Sequence, residues 1–413
     1  MFQSNITLYI TIFFFSIIGC KRGCQRLSEA PKHASVAKQA SMEPAVFVLF
    51  HGLGSEASCF KHLAAQLKQA FPDASVVALK SVEREQTALL SITEQANESW
   101  KELITSVSDL ESRPIILIGH SQGGLRAYKM FERYKEEYGD TLPNPIGIVT
   151  IATPWEGADV LNKVQELAPP FFEAPVLDDM RKFSTSLGQD SDWAEKYFES
   201  TLEKYQVAAF SDGCKDLTPG SDFLGWVKNT LPNAKIPILA IGGEQSDFRI
   251  FLPQKSKDNF KALRKAWTEL ITGKTHHSNK KEKKHDMVVR LSSQLAWNIP
   301  LDRNSNFTEV SIPDALHDEI LPLPPISQSK NILVHPVMIQ EVIAFSNQVL
   351  YGTSNQATNK RKRAEEIGDK PLKQKDSAGC MIMHPDWEPT SYIPIVQPKP
   401  GVRIVPESEY VLY

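Results

Sequence analysis

The sequence is poor in cysteine, which excludes several kinds of small, cross-linked or metal-dependent domain. Its 413 residues contain five cysteines and no Cys-x-x-Cys pair. An odd, scattered set argues against a full disulfide framework and against a cysteine-based metal site. Cys59 and Cys214 could form a pair, but the sequence alone does not decide this. The cysteines are Cys20, Cys24, Cys59, Cys214 and Cys380.

The chain also lacks an excess of either charge. Its 46 Lys and Arg residues nearly balance 49 Asp and Glu residues, for a formal net charge of −3. This balance argues against bulk nucleic-acid binding, so no nucleic-acid partner is expected. Hydrophobic residues make up 41% of the chain and charged residues 23%, a composition that indicates neither a disordered nor a fibrous protein. The length accommodates one large α/β domain with appendages.

The apolar run at residues 6–18 is too short for a comfortable membrane span. It is typical of the apolar region of a signal peptide, and it ends at Ile17-Ile18-Gly19-Cys20, which resembles a bacterial lipobox. We therefore predict that residues 1–20 direct the protein to the cell envelope or outside, with lipid attachment at Cys20. This would bring the protein to a membrane through its N-terminus.

The basic residues near this run leave a second possibility open. Residues 1–5 contain no Lys or Arg, whereas Lys21, Arg22 and Arg26 follow the run. This order of charge also suits an uncleaved segment that anchors the protein in a membrane. We interpret residues 21–43 as a polar tether and residues 353–413 as a polar, partly disordered tail.

Strand and helix patterns alternate between residues 44 and 352, which predicts one α/β domain with a mostly parallel sheet and helices on both faces. Residues 155–235 interrupt the alternation with apolar and aromatic clusters, and we interpret them as a helical cap or lid. The Lys- and His-rich stretch at 255–285 is interpreted as a solvated basic loop rather than a metal site. The predicted strands are 45–50, 74–79, 115–118, 145–151, 235–243 and 307–313.

The most informative segment is Gly119-His120-Ser121-Gln122-Gly123, which follows a short apolar strand and precedes a helix pattern. This context predicts a sharp strand-to-helix turn that projects the Ser121 hydroxyl above the sheet, as a nucleophile requires. Glycines two residues to either side provide the room that such a turn needs. His120 is expected to point its side chain toward the other side of the sheet.

A serine nucleophile needs a histidine base and a carboxylate that orients the histidine, in the chain order serine, acid, histidine. His317 follows the last predicted strand and is favoured as the base over His335, which precedes Pro336 at the start of a helix pattern. Asp286 and Asp247 compete as the acid, and Asp286 is favoured by the resemblance described below.

The oxyanion hole requires two main-chain N–H groups. One is expected from Gln122, directly after the serine, and the other from Leu53 in the loop after the first strand. Gly52 lets the backbone of this loop approach the nucleophile closely.

Together these motifs resemble the α/β-hydrolase superfamily, and within it the bacterial lipases and esterases, over about residues 44–350. The resemblance implies a Ser121, His317 and Asp286 triad that cleaves acyl esters of lipids through an acyl-enzyme, with no cofactor and no metal. Trp155 stands where that group commonly has histidine, and Met287 replaces the usual glycine beside the acid. The matching motifs are His51-Gly52-Leu53-Gly54, Gly119-His120-Ser121-Gln122-Gly123-Gly124, Thr150-Ile151-Ala152-Thr153-Pro154, Asp216-Leu217-Thr218-Pro219-Gly220-Ser221, Asp286-Met287-Val288-Val289 and Leu316-His317-Asp318.

Two other functions remain open. The elbow, with glutamine after serine, also resembles palmitoyl-protein thioesterases. The departures at Trp155 and Met287 are compatible with an inactive, envelope-tethered binding protein of the same fold.

Overall fold

The computed structural model describes residues 44–139, 145–165, 173–208, 210–252, 260–273, 283–301, 306–318 and 330–352. The predicted signal segment at 1–20 with Cys20, the tether at 21–43 and the tail at 353–413 lie outside these residues. Among the helices that the structure describes, none combines the length and the apolar character needed to cross a membrane.

The described strands form one six-stranded sheet in the order β2-β1-β3-β4-β5-β6, and every neighbouring pair is parallel. This confirms the predicted α/β class with a parallel sheet. The strands are β1 (Val46–Phe50), β2 (Ser75–Ala78), β3 (Ile115–His120), β4 (Pro145–Ile151), β5 (Ile238–Gly243) and β6 (Phe307–Ile312).

Strand β1 pairs with the edge strand β2 on one side and with β3 on the other, so the chain changes direction across the sheet after β2. At such a switch point, loops that leave neighbouring strands diverge and open a crevice at the carboxyl ends of the strands. The loop that begins at His51 and the turn at Ser121 both lie at this edge. The sheet order therefore places the loop after β1 next to Ser121.

Both faces of the sheet are covered. Side chains alternate between the faces of a strand, so Val46, Val48 and Phe50 of β1 belong to one apolar cluster and Phe47 and Leu49 to the other. All five residues are fully buried. A strand buried on both faces reads as a continuous apolar run, which is why the strand patterns are clear in the sequence.

The helices connect and cover these strands. Two helices, α2 (Gln86–Leu89) and α3 (Ile92–Ser106), follow β2, and they are separate because Ser91 begins the second one with a capping box that it forms with Glu94. The helices are α1 (Lys61–Ala70), α2 (Gln86–Leu89), α3 (Ile92–Ser106), α4 (Gln122–Tyr138), α5 (Asp159–Gln165), α6 (Ala174–Ser186), α7 (Trp193–Ala208), α8 (Asp212–Asp216), α9 (Asp222–Thr230), α10 (Lys261–Thr272), α11 (Leu291–Gln294) and α12 (Pro336–Tyr351).

Helices α5 to α9 lie between β4 and β5, within the region predicted as a cap at 155–235. Several of their described aromatic side chains are packed against other aromatic rings. Phe183 of α6, for example, is fully buried and meets Phe248 and Phe260 edge to face. These contacts thus join α6 to the segment that follows β5, as aromatic contacts do in protein cores.

The interpretation of residues 255–285 as a solvated loop is wrong in part. Residues Lys261–Thr272 form α10, whose apolar side chains Leu263, Trp267 and Leu270 are buried. Lysine-rich composition hid the helical spacing of these residues. His276 and His277 lie outside the described residues. Cys59 and Cys214 are both free thiols in this structure.

Candidate active site

Ser121 is the turn residue between β3 and α4, and its backbone has the strained conformation expected of a nucleophile elbow. Its φ of 54° and ψ of −129° lie in a region that residues with a side chain rarely adopt. The Ser121 N–H donates to the carbonyl of Ile151 at 2.8 Å, which ties the turn to the end of β4. The turn is therefore held by the neighbouring strand.

Glycines are required around this turn because the backbone is crowded there. A Cβ added at Gly123 would lie 2.0 Å from the Phe50 carbonyl oxygen, and one at Gly119 would lie 2.4 Å from the backbone of Gly123. A Cβ at Gly52 would lie 2.8 Å from the Ser121 Cβ. The close approach of Gly52 shows that the loop after β1 borders the nucleophile.

His317 follows β6 and lies between Ser121 and Asp286. Its Nε2 is 3.0 Å from the Ser121 Oγ, and its Nδ1 is 2.7 Å from an Asp286 carboxylate oxygen. Because the carboxylate accepts the Nδ1–H, Nε2 is left as the acceptor for the serine proton. The structure thus brings these three predicted residues into one hydrogen-bonded chain, although they are up to 196 positions apart.

Asp286 is held by its own turn. Its second carboxylate oxygen accepts the main-chain N–H groups of Val288 and Val289 at 3.0 and 2.7 Å. Its main-chain carbonyl accepts the His317 N–H at 2.9 Å. The carboxylate is fully buried. These contacts fix both partners of the aspartate–histidine pair.

The departure at Met287 is accommodated within this turn. Met287 has a φ of 81°, in the left-handed region that favours glycine, and its side chain is buried in the core. Its N–H donates to His285 Nδ1 at 3.1 Å, and its carbonyl accepts the Trp267 indole N–H at 3.0 Å. Contacts on both sides of the residue therefore hold a conformation that glycine adopts more readily.

Arg290 connects the turn at residues 286–289, called the acid turn, to the beginning of the insertion. Its guanidinium lies 3.1 Å from Glu156 and 2.9 Å from Asp159, and all three side chains are largely buried. Trp155, the other departure, is fully buried and packs edge to face against Tyr128. Trp155 is therefore a packing residue of the core.

The competing acid and base lie elsewhere. The carboxylate of Asp247 accepts hydrogen bonds from the Arg249 guanidinium and main-chain N–H. His335 is the N-cap of α12, where its ring accepts the Val337 N–H at 3.3 Å, and its other nitrogen is 3.2 Å from Asp314. Each residue thus has a local structural partner.

The two predicted oxyanion donors border the serine. Gln122 is the first residue of α4, where the N–H groups have no partner within the helix. In the part of the chain that the structure describes, neither the Gln122 N–H nor the Leu53 N–H donates to another protein group. The dipole of α4 also favours negative charge at this end. Both N–H groups are thus available for a developing oxyanion.

The expectation that His120 points away from the site is wrong. Its imidazole donates an Nε2–H bond to the His317 carbonyl at 3.0 Å, and the two rings lie 5.0 Å apart. The loop after β6 crosses the carboxyl end of β3, and the sequence gives no indication of this crossing. His120 therefore contacts His317 directly.

The pKa of His317 is raised above that of an ordinary histidine. Burial lowers the pKa, but the negative charge of Asp286 and the hydrogen bond to it together outweigh the effect of burial. By contrast, burial and, to a smaller extent, the charge of His317 together lower the pKa of His120 to about 4. His120 is therefore neutral near pH 7, whereas His317 is the ring that can accept a proton from the serine.

A protein-family model matches part of this chain. The family model described as palmitoyl protein thioesterase matches residues 46–240, which include β1 to β4, the elbow and the first half of β5. No curated protein sequence matches the chain.

Solved structures with a similar backbone include several hydrolases. The Bacillus licheniformis lipase BlEst2 is 14% identical, with a TM-score of 0.39, and the match covers 75% of this chain and 96% of that one. The phospholipase PlaB of Legionella pneumophila is 11% identical, with a TM-score of 0.46, over 78% of this chain and 63% of that one. The RedJ thioesterase of Streptomyces coelicolor is 14% identical, with a TM-score of 0.37, over 77% and 91%.

Proposed function

We propose that this chain is a hydrolase of the α/β-hydrolase superfamily and that it cleaves carboxylic esters of acyl lipids. The observation that carries this proposal is the chain of hydrogen bonds from Ser121 through His317 to the buried Asp286. The proposed catalytic residues are these three. Leu53 and Gln122 would supply the oxyanion hole.

The reaction follows from the direction of these hydrogen bonds. As the Ser121 oxygen attacks the acyl carbonyl, its proton passes to Nε2 of His317, and the carbonyl oxygen becomes an oxyanion held by the two main-chain N–H groups. The imidazolium, stabilised by Asp286, then gives this proton to the leaving alcohol as the C–O bond breaks. Water attacks the acyl-enzyme with the help of the same histidine and releases the fatty acid.

A long acyl group is the preferred substrate in this proposal. The family match concerns enzymes named for a palmitoyl group, and lipid substrates suit an approach bordered by an apolar insertion. Helices α5 to α9 would serve as that insertion.

The test is covalent labelling with a fluorophosphonate, followed by turnover of acyl esters. We expect the wild-type protein to be labelled at Ser121. Ser121→Ala and His317→Ala should each lower kcat by at least about 10³-fold, because the residues of a triad act as a unit. His335→Ala is the matched control, since it removes a histidine that caps a helix, and it should stay within about threefold of wild type. A wild-type protein that is neither labelled nor active would instead indicate a binding protein of the same fold.

A thioesterase is the second candidate, favoured by the family model that matches residues 46–240. The same triad cleaves a thioester, with a thiolate leaving group in place of an alkoxide. Palmitoyl esters and palmitoyl thioesters with similar leaving groups should be compared by kcat/KM. A preference of more than about tenfold for the thioester, beyond its higher reactivity without enzyme, would favour this second candidate.

A further inference from the structure

A short segment between β2 and α3 is bonded along its length to the loop that carries the oxyanion donor Leu53. We call residues 83–90 the brace segment. The Arg84 N–H donates to the Ser55 carbonyl at 2.8 Å, and the Ala57 N–H donates to the Glu83 carboxylate at 2.9 Å. These bonds join two segments that are about 30 positions apart in the sequence. The brace segment therefore determines where the oxyanion loop lies.

Thr87 is the buried centre of this arrangement. Its hydroxyl accepts the Gly54 N–H at 2.7 Å and donates to the Arg84 carbonyl at 2.5 Å. Gly54 directly follows Leu53 and has a φ of 71°, a left-handed conformation. Because the Gly54 N–H is bonded to Thr87, the peptide plane next to the Leu53 N–H is fixed.

The same residue also contacts the other side of the oxyanion hole. The main-chain carbonyl of Thr87 accepts a hydrogen bond from the Gln122 side-chain amide at 3.0 Å. That amide also donates to the Gly213 carbonyl of α8 at 3.1 Å. Gln95 of α3 adds a bond to the Thr87 carbonyl at 2.8 Å. Thr87, Gln95 and Gln122 are all fully buried.

We propose that Thr87 is a positioning residue of the oxyanion hole, which holds Gly54 through its hydroxyl and Gln122 through its carbonyl. This inference rests on the proposed function and adds to it a residue that touches no reacting atom. Thr87 acts through the two donors, one on each side of the oxyanion. The hydroxyl of Thr87 can be removed by substitution while the main chain of the brace segment is kept.

The test compares Thr87→Val with Thr87→Ser. Valine keeps the shape of threonine but leaves the Gly54 N–H without its acceptor, so the Leu53 donor should move relative to the oxyanion. Because the oxyanion is present only in the transition state, we expect kcat to fall about 10- to 100-fold while KM changes less than about twofold. The affinity for an alkylboronic acid, which forms a tetrahedral adduct with serine, should fall in parallel. Serine keeps the hydroxyl and should restore kcat to within about threefold of wild type.

Thr272→Val is the matched control, because Thr272 is also a buried threonine whose hydroxyl donates to a main-chain carbonyl, at 2.7 Å, but it lies in α10. It should leave kcat and KM unchanged, because this hydroxyl holds no group of the oxyanion hole. If Thr87→Val does not fold, Gln122→Met tests the second contact, since it removes the amide and keeps the main-chain N–H. We expect this variant also to lose kcat at constant KM.

With an active wild-type protein, three results would overturn the inference while leaving the proposed function intact. The first is an unchanged kcat in Thr87→Val, and the second is a loss of kcat in Thr87→Ser equal to that in Thr87→Val. The third is an affinity of Thr87→Val for the boronic acid that equals that of wild type. In the event that Thr87→Val does not fold, an unchanged kcat in Gln122→Met has the same meaning. A wild-type protein that does not react with the fluorophosphonate overturns the proposed function, and this inference falls with it.

Discussion

Single residues at the site are specified mainly by their hydrogen-bond partners. His317 has its Nδ1–H directed at Asp286, its main-chain N–H bonded to the Asp286 carbonyl and its own carbonyl bonded to His120. Asp286 is specified in the same way by its turn. Several hydrogen bonds therefore fix the position of His317. A single substitution should change the pKa of the His317 ring more readily than its position.

The activity of the wild-type protein should fall on acidification with a midpoint above pH 6.5, the ordinary pKa of histidine being about 6.5. The sign follows from the chemistry, because the proposed base works only when neutral and its pKa is raised. Asp286→Asn removes the negative charge that raises this pKa. Its kcat/KM profile should shift to lower pH, together with a loss of kcat on the order of 10⁴-fold.

Asp247→Asn is the control for this measurement, since it removes a carboxylate that is bound by Arg249. It should leave the midpoint and kcat unchanged. A profile of Asp286→Asn that coincides with that of wild type would show that Asp286 does not set the pKa of the base.

At the scale of elements, the elbow depends on how closely β1, β3 and α4 approach one another. Glycines allow that approach, but not all glycines in helices have this role. Gly123 in α4 faces the backbone of β1, whereas Gly225 in α9 has open space where a Cβ would stand. The two positions therefore predict opposite responses to the same substitution.

Gly123→Ala should lower the free energy of unfolding by more than about 2 kcal/mol and abolish labelling of Ser121, because the neighbouring atom at 2.0 Å is a main-chain oxygen that cannot move aside. Gly225→Ala should raise the free energy of unfolding by about 0.5–1 kcal/mol, because alanine is the better helix former. Urea denaturation and the labelling rate measure both effects. Equal behaviour of the two variants would contradict this account of the elbow.

At the scale of the whole molecule, the protein buries several histidines as neutral rings. Burial lowers the pKa of His51 to about 3 and the pKa of His285 to about 4, with His120 also at about 4. These rings are spread over the loop after β1, the end of β3 and the acid turn. At mildly acidic pH, these three histidines bind protons in the unfolded chain but stay neutral in the folded chain.

Stability should therefore decrease as the pH falls from about 7 to about 5.5, by on the order of 1 kcal/mol for each of the three histidines. Their pKa values in the folded state are lowered, so the unfolded state binds more protons in this pH range. Acidification therefore stabilises the unfolded state relative to the folded state. His317 acts in the opposite direction because its pKa is raised. The midpoint of urea denaturation at pH 7.5, 6.5 and 5.5 measures the sum.

His285→Gln should make this dependence on pH shallower, since it removes one of the three groups. The Asp286 turn would keep a polar side chain at that position. A midpoint that is constant or rises toward pH 5.5 would show that the buried rings do not control acid stability.

The sequence alone determined the strands of this protein and predicted Ser121 as the candidate nucleophile. Continuous apolar runs such as 45–50 and 115–118 predict strands buried on both faces, and the glycine spacing around Ser121 predicts a sharp turn, because both signals are local. His317 and Asp286 were also reached from the sequence, by their order along the chain and by resemblance. The helix at Lys261–Thr272 was missed, since its lysines obscured the apolar spacing.

Only the tertiary structure decided which side chains meet. Parallel strands bring their carboxyl ends to one edge, so His317 reaches Ser121 and Asp286 while Asp247 and His335 find other partners. The position of His120 and the contact of Thr87 with Gly54 likewise depend on loops that cross this edge. Such contacts join residues tens to hundreds of positions apart, and no local pattern encodes them, because they follow from strand order and close packing of the whole domain.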